Sequence, residues 1–146
     1  MQVEKNPRGD FLGTRRKNDD GSFGPYEWQS YEQIYDKVKA IARSMYKFNL
    51  CPDVAGETEG STMRFTGIWA KNCEEWNVTQ LASMFLKSCN VGFFDAMNDS
   101  NVDYIFNQTE MGTVFCSRPK LLKIIEMKQN GMAGPIKTIV LFDVSA

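Results

Sequence analysis

The sequence predicts an α/β fold in which a parallel βαβ sheet is flanked by helices, and two observations carry that expectation. Short apolar runs of strand length, RFTGIWA, NVGFFD, GTVFCS and KTIVLFD, alternate with three segments of helical patterning. Strands alternating with helices read as crossovers that set parallel strands side by side. Residues 91–94 and 138–142 are also apolar at nearly every position, as expected of strands covered on both faces. A chain of 146 residues has the length of one domain and can bury roughly two-thirds of its unfolded surface. No internal repeat or low-complexity tract interrupts the pattern.

Residues 1–29 read as an N-terminal arm, in which KNDDGSFG places an Asp-Gly turn signal between FLGTR and PYEWQ, so a hairpin is expected. Residues 30–146 read as an incomplete α/β subdomain. Ser30 stands at an N-cap position and Gln33 completes a capping box, with Ile34, Val38, Ile41, Met45 and Phe48 following at helical spacing; a long helix over 31–48 follows. CPDVAGETEGSTM, residues 51–63, has Pro and Gly punctuation and no periodicity, and is expected to be a loop. After RFTGIWA, Asn72 is the expected N-cap of a helix over 73–88, with Glu75 as its capping-box partner. Ser100 and Asp103 form a capping-type start to a helix over 101–108. Ser117 and Pro119 open another over 119–129. Asp143 closes the last strand, with only Val144, Ser145 and Ala146 after it.

Composition removes several functional classes. Seventeen Lys and Arg balance eighteen Asp and Glu for a net charge of -1, so no overall field attracts nucleic acid. Arg15-Arg16-Lys17 and the basic residues between Arg118 and Lys128 read as solvated faces. The N-terminus lacks an apolar signal region, and nowhere do 18 apolar residues run together, so neither a secretory leader nor a membrane-spanning helix is expected. Cys51, Cys73, Cys89 and Cys116 contain no CxxC pair and read as reduced thiols of an intracellular chain, cytoplasmic or on the cytosolic face of an organelle. The sequence has no histidine, so a Ser-His or Cys-His nucleophile pair cannot be built from it.

The strand-to-helix turn AKNCEEW is the natural place to look for a phosphate site, yet it contains no glycine, and only glycine lets a backbone approach a pyrophosphate closely. Glu74 and Glu75 already occupy the positive end of the helix and would repel an anion. The turn therefore reads as structural, Gly67 as a point of close packing or a bulge, and Trp69 and Trp76 as core anchors. Asp95, Asn98 and Asp99 could ligate a hard cation, but they read better as turn residues. No catalytic, cofactor-binding or metal-binding residue is assigned.

FLGTR, GPYEWQSYEQIYDKVKAIARSMYKFNL, FTGIWAKNCEEWNVTQLASMF, GFFDAMNDSNVDYIFNQTEMGTVFCS and IKTIVLFD together resemble the N-terminal part of long-chain fatty acid–CoA ligases, members of the AMP-binding adenylate-forming superfamily. The resemblance covers residues 11–143. It implies the adenylate-forming fold and, for a complete family member, joining of a fatty acid to ATP and transfer of the acyl group to CoA with magnesium assisting. The family's phosphate loop, magnesium-binding Glu, ribose-binding Asp and C-terminal lysine lie downstream of the matched part. The resemblance thus implies ATP, magnesium and CoA for a whole ligase and none of them in this chain. Two expectations follow: a scaffold portion of a complete ligase, or a short inactive ligase-derived protein acting as a structural subunit. In either case the remaining ligase polypeptide or a protein partner covers the sheet left open after IKTIVLFD. Nucleic acid is not an expected partner, and peripheral membrane association is compatible with both.

Overall fold

Reversal of the chain at Asp20-Gly21 depends on Gly21, whose φ of 84° is open to glycine and strained for other residues. In the computed structural model, which describes residues 2–142, a single helical turn α1 (Gln2–Lys5) leads into β1 (Asp10–Lys17) and β2 (Phe23–Ser30). These pair as the expected antiparallel hairpin, with register shifts near each end of β1.

The capping box then starts α2 (Tyr31–Lys47). Ser30 Oγ accepts from the Gln33 N–H at 3.3 Å, and Gln33 Oε1 accepts from the Ser30 N–H at 2.8 Å. The buried stripe is Ile34, Val38, Ala42 and Met45, while Ile41 and Phe48 are exposed. Ala42 takes the position that Ile41 was expected to fill, and a small side chain there suits the packing of α2 against α3 (Glu74–Phe85). The stretch expected to be a loop carries a two-residue ladder, β3 (Val54–Ala55) with β4 (Thr62–Met63). The Gly56 N–H donates to Ser61 O at 2.9 Å to continue it.

The main sheet contains β5 (Phe65–Trp69), β6 (Cys89–Gly92), β7 (Thr113–Cys116) and β8 (Thr138–Leu141), connected in turn by α3, α4 (Asp99–Thr109) and α5 (Arg118–Gln129). The strand order is β6-β5-β7-β8, and every pairing is parallel. Because strand side chains alternate, the sheet feeds two cores. Trp69, Val114 and Cys116 join Val102, Phe106, Ile124 and Met127 of α4 and α5. Ile68 and Phe115 join Ile34, Val38 and Met45 of α2 and Val78 and Ala82 of α3.

Gly67 is a site of close packing, and the unbroken register of β5 with β6 shows no bulge there. A Cβ on Gly67 would stand 2.7 Å from Met111 Sδ and 3.3 Å from the Phe93 ring. The second strand occupies residues 89–92 instead of 91–94. Phe93 instead turns into the core between Trp69 and Phe106, at centroid distances of 5.8 and 5.0 Å, leaving Phe94 in solvent.

Three helix starts differ in detail from the expected caps. Cys73, not Asn72, is the N-cap of α3, and its side chain makes no capping bond. For α4 the cap is Asn98, whose Oδ1 accepts from the Asn101 N–H at 2.9 Å, so Ser100 lies inside the helix. Asp103 is engaged elsewhere: its Oδ1 accepts from the Ala133 N–H at 2.6 Å and ties α4 to the loop before β8. Ser117 caps α5 by position without a side-chain bond, and Pro119 lies in the first turn. Asp143 lies outside the described residues.

Candidate functional site

In an open parallel sheet a ligand belongs beyond the carboxyl ends of the strands, where successive crossovers depart to opposite faces. Here that point lies between β5 and β7, since α3 packs with α2 on one face and α5 with α4 on the other. The Ser117 N–H donates to Trp69 O across it at 3.2 Å. Lys120 Nζ lies 5.0 Å from the Trp69 ring centroid and 2.7 Å from Asp95 Oδ1. Its hydrogen bond and charge hold the Asp95 carboxyl below the usual range. The cation over this crevice is thus already neutralised. Trp69 Nε1 is buried, with no acceptor among the described residues.

At the start of α3, Glu74 accepts from Lys37 of α2 and from Gln29 of β2, which joins hairpin, helix and crossover. The glycine-free turn therefore holds the fold together through its carboxylate. The residues considered for a hard cation are drawn apart: Asp95 pairs with Lys120, Asp99 pairs with Lys123 at 2.8 Å, and Asn98 caps α4. Among the described residues no group of three or more metal-ligating side chains forms. Cys73 and Cys116 are pushed up to about 11 by burial, which suits structural thiols and not nucleophiles. Cys51 Sγ lies 3.0 Å from Thr66 Oγ1, which in turn lies 2.7 Å from Ser88 Oγ, in a buried polar chain.

An apolar trough of about 350 Å³ lies between α2, α3 and β8. Ala40, Ile41, Val78, Phe115, Val140 and Phe142 make it apolar, and Lys37, Glu74 and Glu75 stand at its rim. The outer side of β8 pairs with no strand among the described residues. Sequence periodicity could not assemble this trough, because its walls come from segments as far apart as Ala40 and Phe142. The apolar character of the last strand was its one visible signal.

No family model matches the chain. Among curated proteins, fatty acyl-CoA synthetase B of Dictyostelium discoideum is 28% identical over 132 residues, covering 90% of this chain and 18% of that protein. Long-chain-fatty-acid–CoA ligase 1 of Cavia porcellus is 29% identical over 146 residues, covering 98% and 18%. Long chain acyl-CoA synthetase 1 of Arabidopsis thaliana is 31% identical over 140 residues, covering 96% and 19%. Its homologues are long-chain fatty acid–CoA ligases. The chain spans about a fifth of the length of these ligases.

Solved structures agree on the fold. A fatty acyl CoA synthetase of Mycobacterium tuberculosis superposes with a TM-score of 0.71 at 13% identity, covering 97% of this chain and 25% of that one. The A domain of a carboxylic acid reductase from Segniliparus rugosus, solved with AMP and a co-purified carboxylic acid, gives 0.66 at 17% identity, covering 90% and 20%. The N-terminal domain of FACL13 from M. tuberculosis gives 0.70 at 12%, covering 97% and 32%. The chain has the mixed α/β fold of the N-terminal part of adenylate-forming enzymes, and it resembles the N-terminal part of the ligases. No helix among the described residues is long and apolar enough to cross a membrane.

Proposed function

We propose that this chain is the N-terminal scaffold portion of an AMP-forming long-chain fatty acid–CoA ligase, which converts fatty acid, ATP and CoA to acyl-CoA, AMP and pyrophosphate. One observation carries the reading: similarity to ligases extends over nearly the whole chain while spanning under a fifth of their length. The trough and the outer side of β8, which pairs with no strand among the described residues, supply the surface on which the remaining polypeptide would continue the sheet. The described residues of this chain do not fit the groups such a ligase uses. The strand-to-helix turn lacks glycine and carries two carboxylates, and the acids near the sheet ends are engaged with lysines. No step of the reaction is therefore assigned to a side chain here. The work proposed for the chain is to hold the sheet and its two cores in place. An intracellular site, in the cytoplasm or on the cytosolic face of an organelle, fits the four free cysteines.

The second reading is a short inactive ligase-derived protein serving as a structural subunit. It is favoured by the presence of helices and a buried cluster on each face of the sheet, which gives the chain a core of its own. The native polypeptide, detected through the peptide IIEMKQNGMAGPIK, separates the two by mass. Several times 16.6 kDa, with ATP- and CoA-dependent thioester formation by that species, is the expected result. A mass near 16.6 kDa overturns the scaffold reading and leaves the subunit reading, to be pursued through what co-purifies.

A further inference from the structure

We propose that the peptide bond between Asn130 and Gly131 is a site of spontaneous covalent modification, at which the asparagine deamidates and the backbone is rebuilt in part as isoaspartate. Asn130 is the only asparagine of the sequence followed by glycine. A glycine amide nitrogen, with no side chain beside it, is the least hindered nucleophile the backbone can offer to the preceding side chain. Both residues are exposed, and a Cβ built on Gly131 would meet nothing within 4 Å. Several other asparagines are tied down: the Asn77 and Asn107 amides donate to carbonyls one helical turn back, at 2.9 and 2.8 Å, and Asn98 caps α4. The Asn130 side chain is held by no hydrogen bond among the described residues. Asp20-Gly21 could in principle cyclise in the same way, but Asp20 Oδ1 accepts from the Ser22 N–H at 2.8 Å and from Ser22 Oγ at 2.6 Å. Those bonds hold the carboxyl below its usual range, ionised and a poor electrophile.

The reaction needs only water as co-reactant. Gly131 N bonds to Asn130 Cγ, the Cγ–Nδ2 bond breaks, and Nδ2 leaves as ammonia with the proton from the Gly131 amide; proximity favours this ring closure. Water then opens the cyclic imide at either carbonyl. One route gives aspartate, and the other gives isoaspartate, in which the main chain runs through the former side-chain carbonyl and gains a methylene. Gly131, at a φ of 79°, closes α5: its N–H donates to Lys128 O at 3.1 Å and the Met132 N–H to Met127 O at 2.9 Å, the paired bonds of a glycine-capped helix end. Attack requires release of the first bond, and the last turn of a helix opens locally with ease. The added methylene displaces that pair, and the new carboxylate stands at the negative end of the α5 dipole. Both effects fall on the loop whose Ala133 N–H donates to Asp103 Oδ1 at 2.6 Å. Modification thus loosens the tie between α4 and the approach to β8. This inference uses the end of α5 alone and stands apart from the ligase reading.

The test is storage of the folded protein in mildly alkaline buffer at physiological temperature, followed by tryptic peptide mapping and enzymatic methylation of isoaspartate. The peptide of residues 129–137 is expected to gain the mass of an amide turned carboxylate several-fold faster than any other asparagine peptide, and to carry isoaspartate together with aspartate. Asn130→Gln, which conserves the amide but disfavours the ring, should leave that peptide unchanged. Amide hydrogen exchange at Ala133 should be faster in stored wild type than in stored Asn130→Gln, with the two equal before storage. Earlier loss at another asparagine overturns the proposal, as does isomerisation at Asp20 that outpaces Asn130. Aspartate at position 130 without isoaspartate also overturns it, because direct hydrolysis then replaces the ring. Unchanged exchange at Ala133 overturns the loosening of the loop.

Discussion

Lys120, in the first turn of α5, lies over the face of the Trp69 indole at the end of β5, 5.0 Å from the ring centroid. A cation over an aromatic face is attracted by the ring quadrupole, by about 0.5–2 kcal/mol depending on desolvation. Because the same ammonium also reaches Asp95, the end of β5 and the segments that follow β6 and β7 are held at one point.

That arrangement predicts an acid-dependent stability. The Asp95 carboxyl is held below its ordinary value, first by the hydrogen bond from Lys120 and then by its charge. A folded-state pKa below the unfolded one gives a contribution that is present above the unfolded value, about 3.9, and lost as pH falls through the folded value. Lys120→Met should therefore be less stable than wild type at neutral pH. The Asp95-dependent part of that difference should shrink between neutral and strongly acidic pH, as the carboxyl takes up its proton. Urea unfolding at the two pH values, with the Asp95 carboxyl followed by NMR, checks this.

Gly67→Ala should cost about 1–3 kcal/mol, the usual price of overpacking a filled core, because the new methyl group meets Met111 Sδ, the Phe93 ring and Thr113 O. Met111→Ala should relieve part of that cost while creating a cavity of its own. A double-mutant cycle in urea would show coupling between the two positions, and additive effects would refute the contact as the cause.

Thiol reactivity should be ordered by exposure. Cys89 is exposed, Cys51 and Cys116 are buried, and Cys73 is intermediate, with burial raising Cys73 and Cys116 to about 11. Iodoacetamide near neutral pH should label Cys89 first, and Cys89→Ser should remove the fast phase. Denaturant should bring all four thiols to similar rates, as mass spectrometry of the labelled peptides would show.

The helix ends offer a pair of opposite effects. Ser30→Ala removes the acceptor for the Gln33 N–H and should destabilise by about 1 kcal/mol. Lys87 sits just beyond α3 at a φ of 53°, where a side chain is strained, so Lys87→Gly should stabilise by roughly 0.5–1 kcal/mol. Thermal unfolding of the two variants should shift in opposite directions.

What the sequence disclosed was local. Ser30 and Gln33 announce the start of α2 because both partners of that cap lie within one turn. The four strands are visible because β-branched and aromatic residues cluster in them. Where the local signal ran out, tertiary contacts decided. Phe93 continues an apolar run but is drawn out of the strand to fill the space between Trp69 and Phe106. Asp103 has capping chemistry but is engaged by Ala133, thirty residues away in sequence. Glu74 reads as a helix-start acid, and only folding brings Lys37 and Gln29 to it. The trough was the least legible feature, since no single segment contains more than one of its walls.

The strand order has a consequence for how the chain can be made. β5 is the first strand of the main sheet to emerge during synthesis, and it takes an interior position. β6 then adds to one of its sides, β7 to the other, and β8 to β7, so no later strand has to be inserted between two already joined. Each crossover closes over roughly 20 residues, a modest loop-closure cost for a parallel sheet. The sheet can therefore grow outward from its middle in step with the ribosome, each stage burying apolar surface before the next strand arrives.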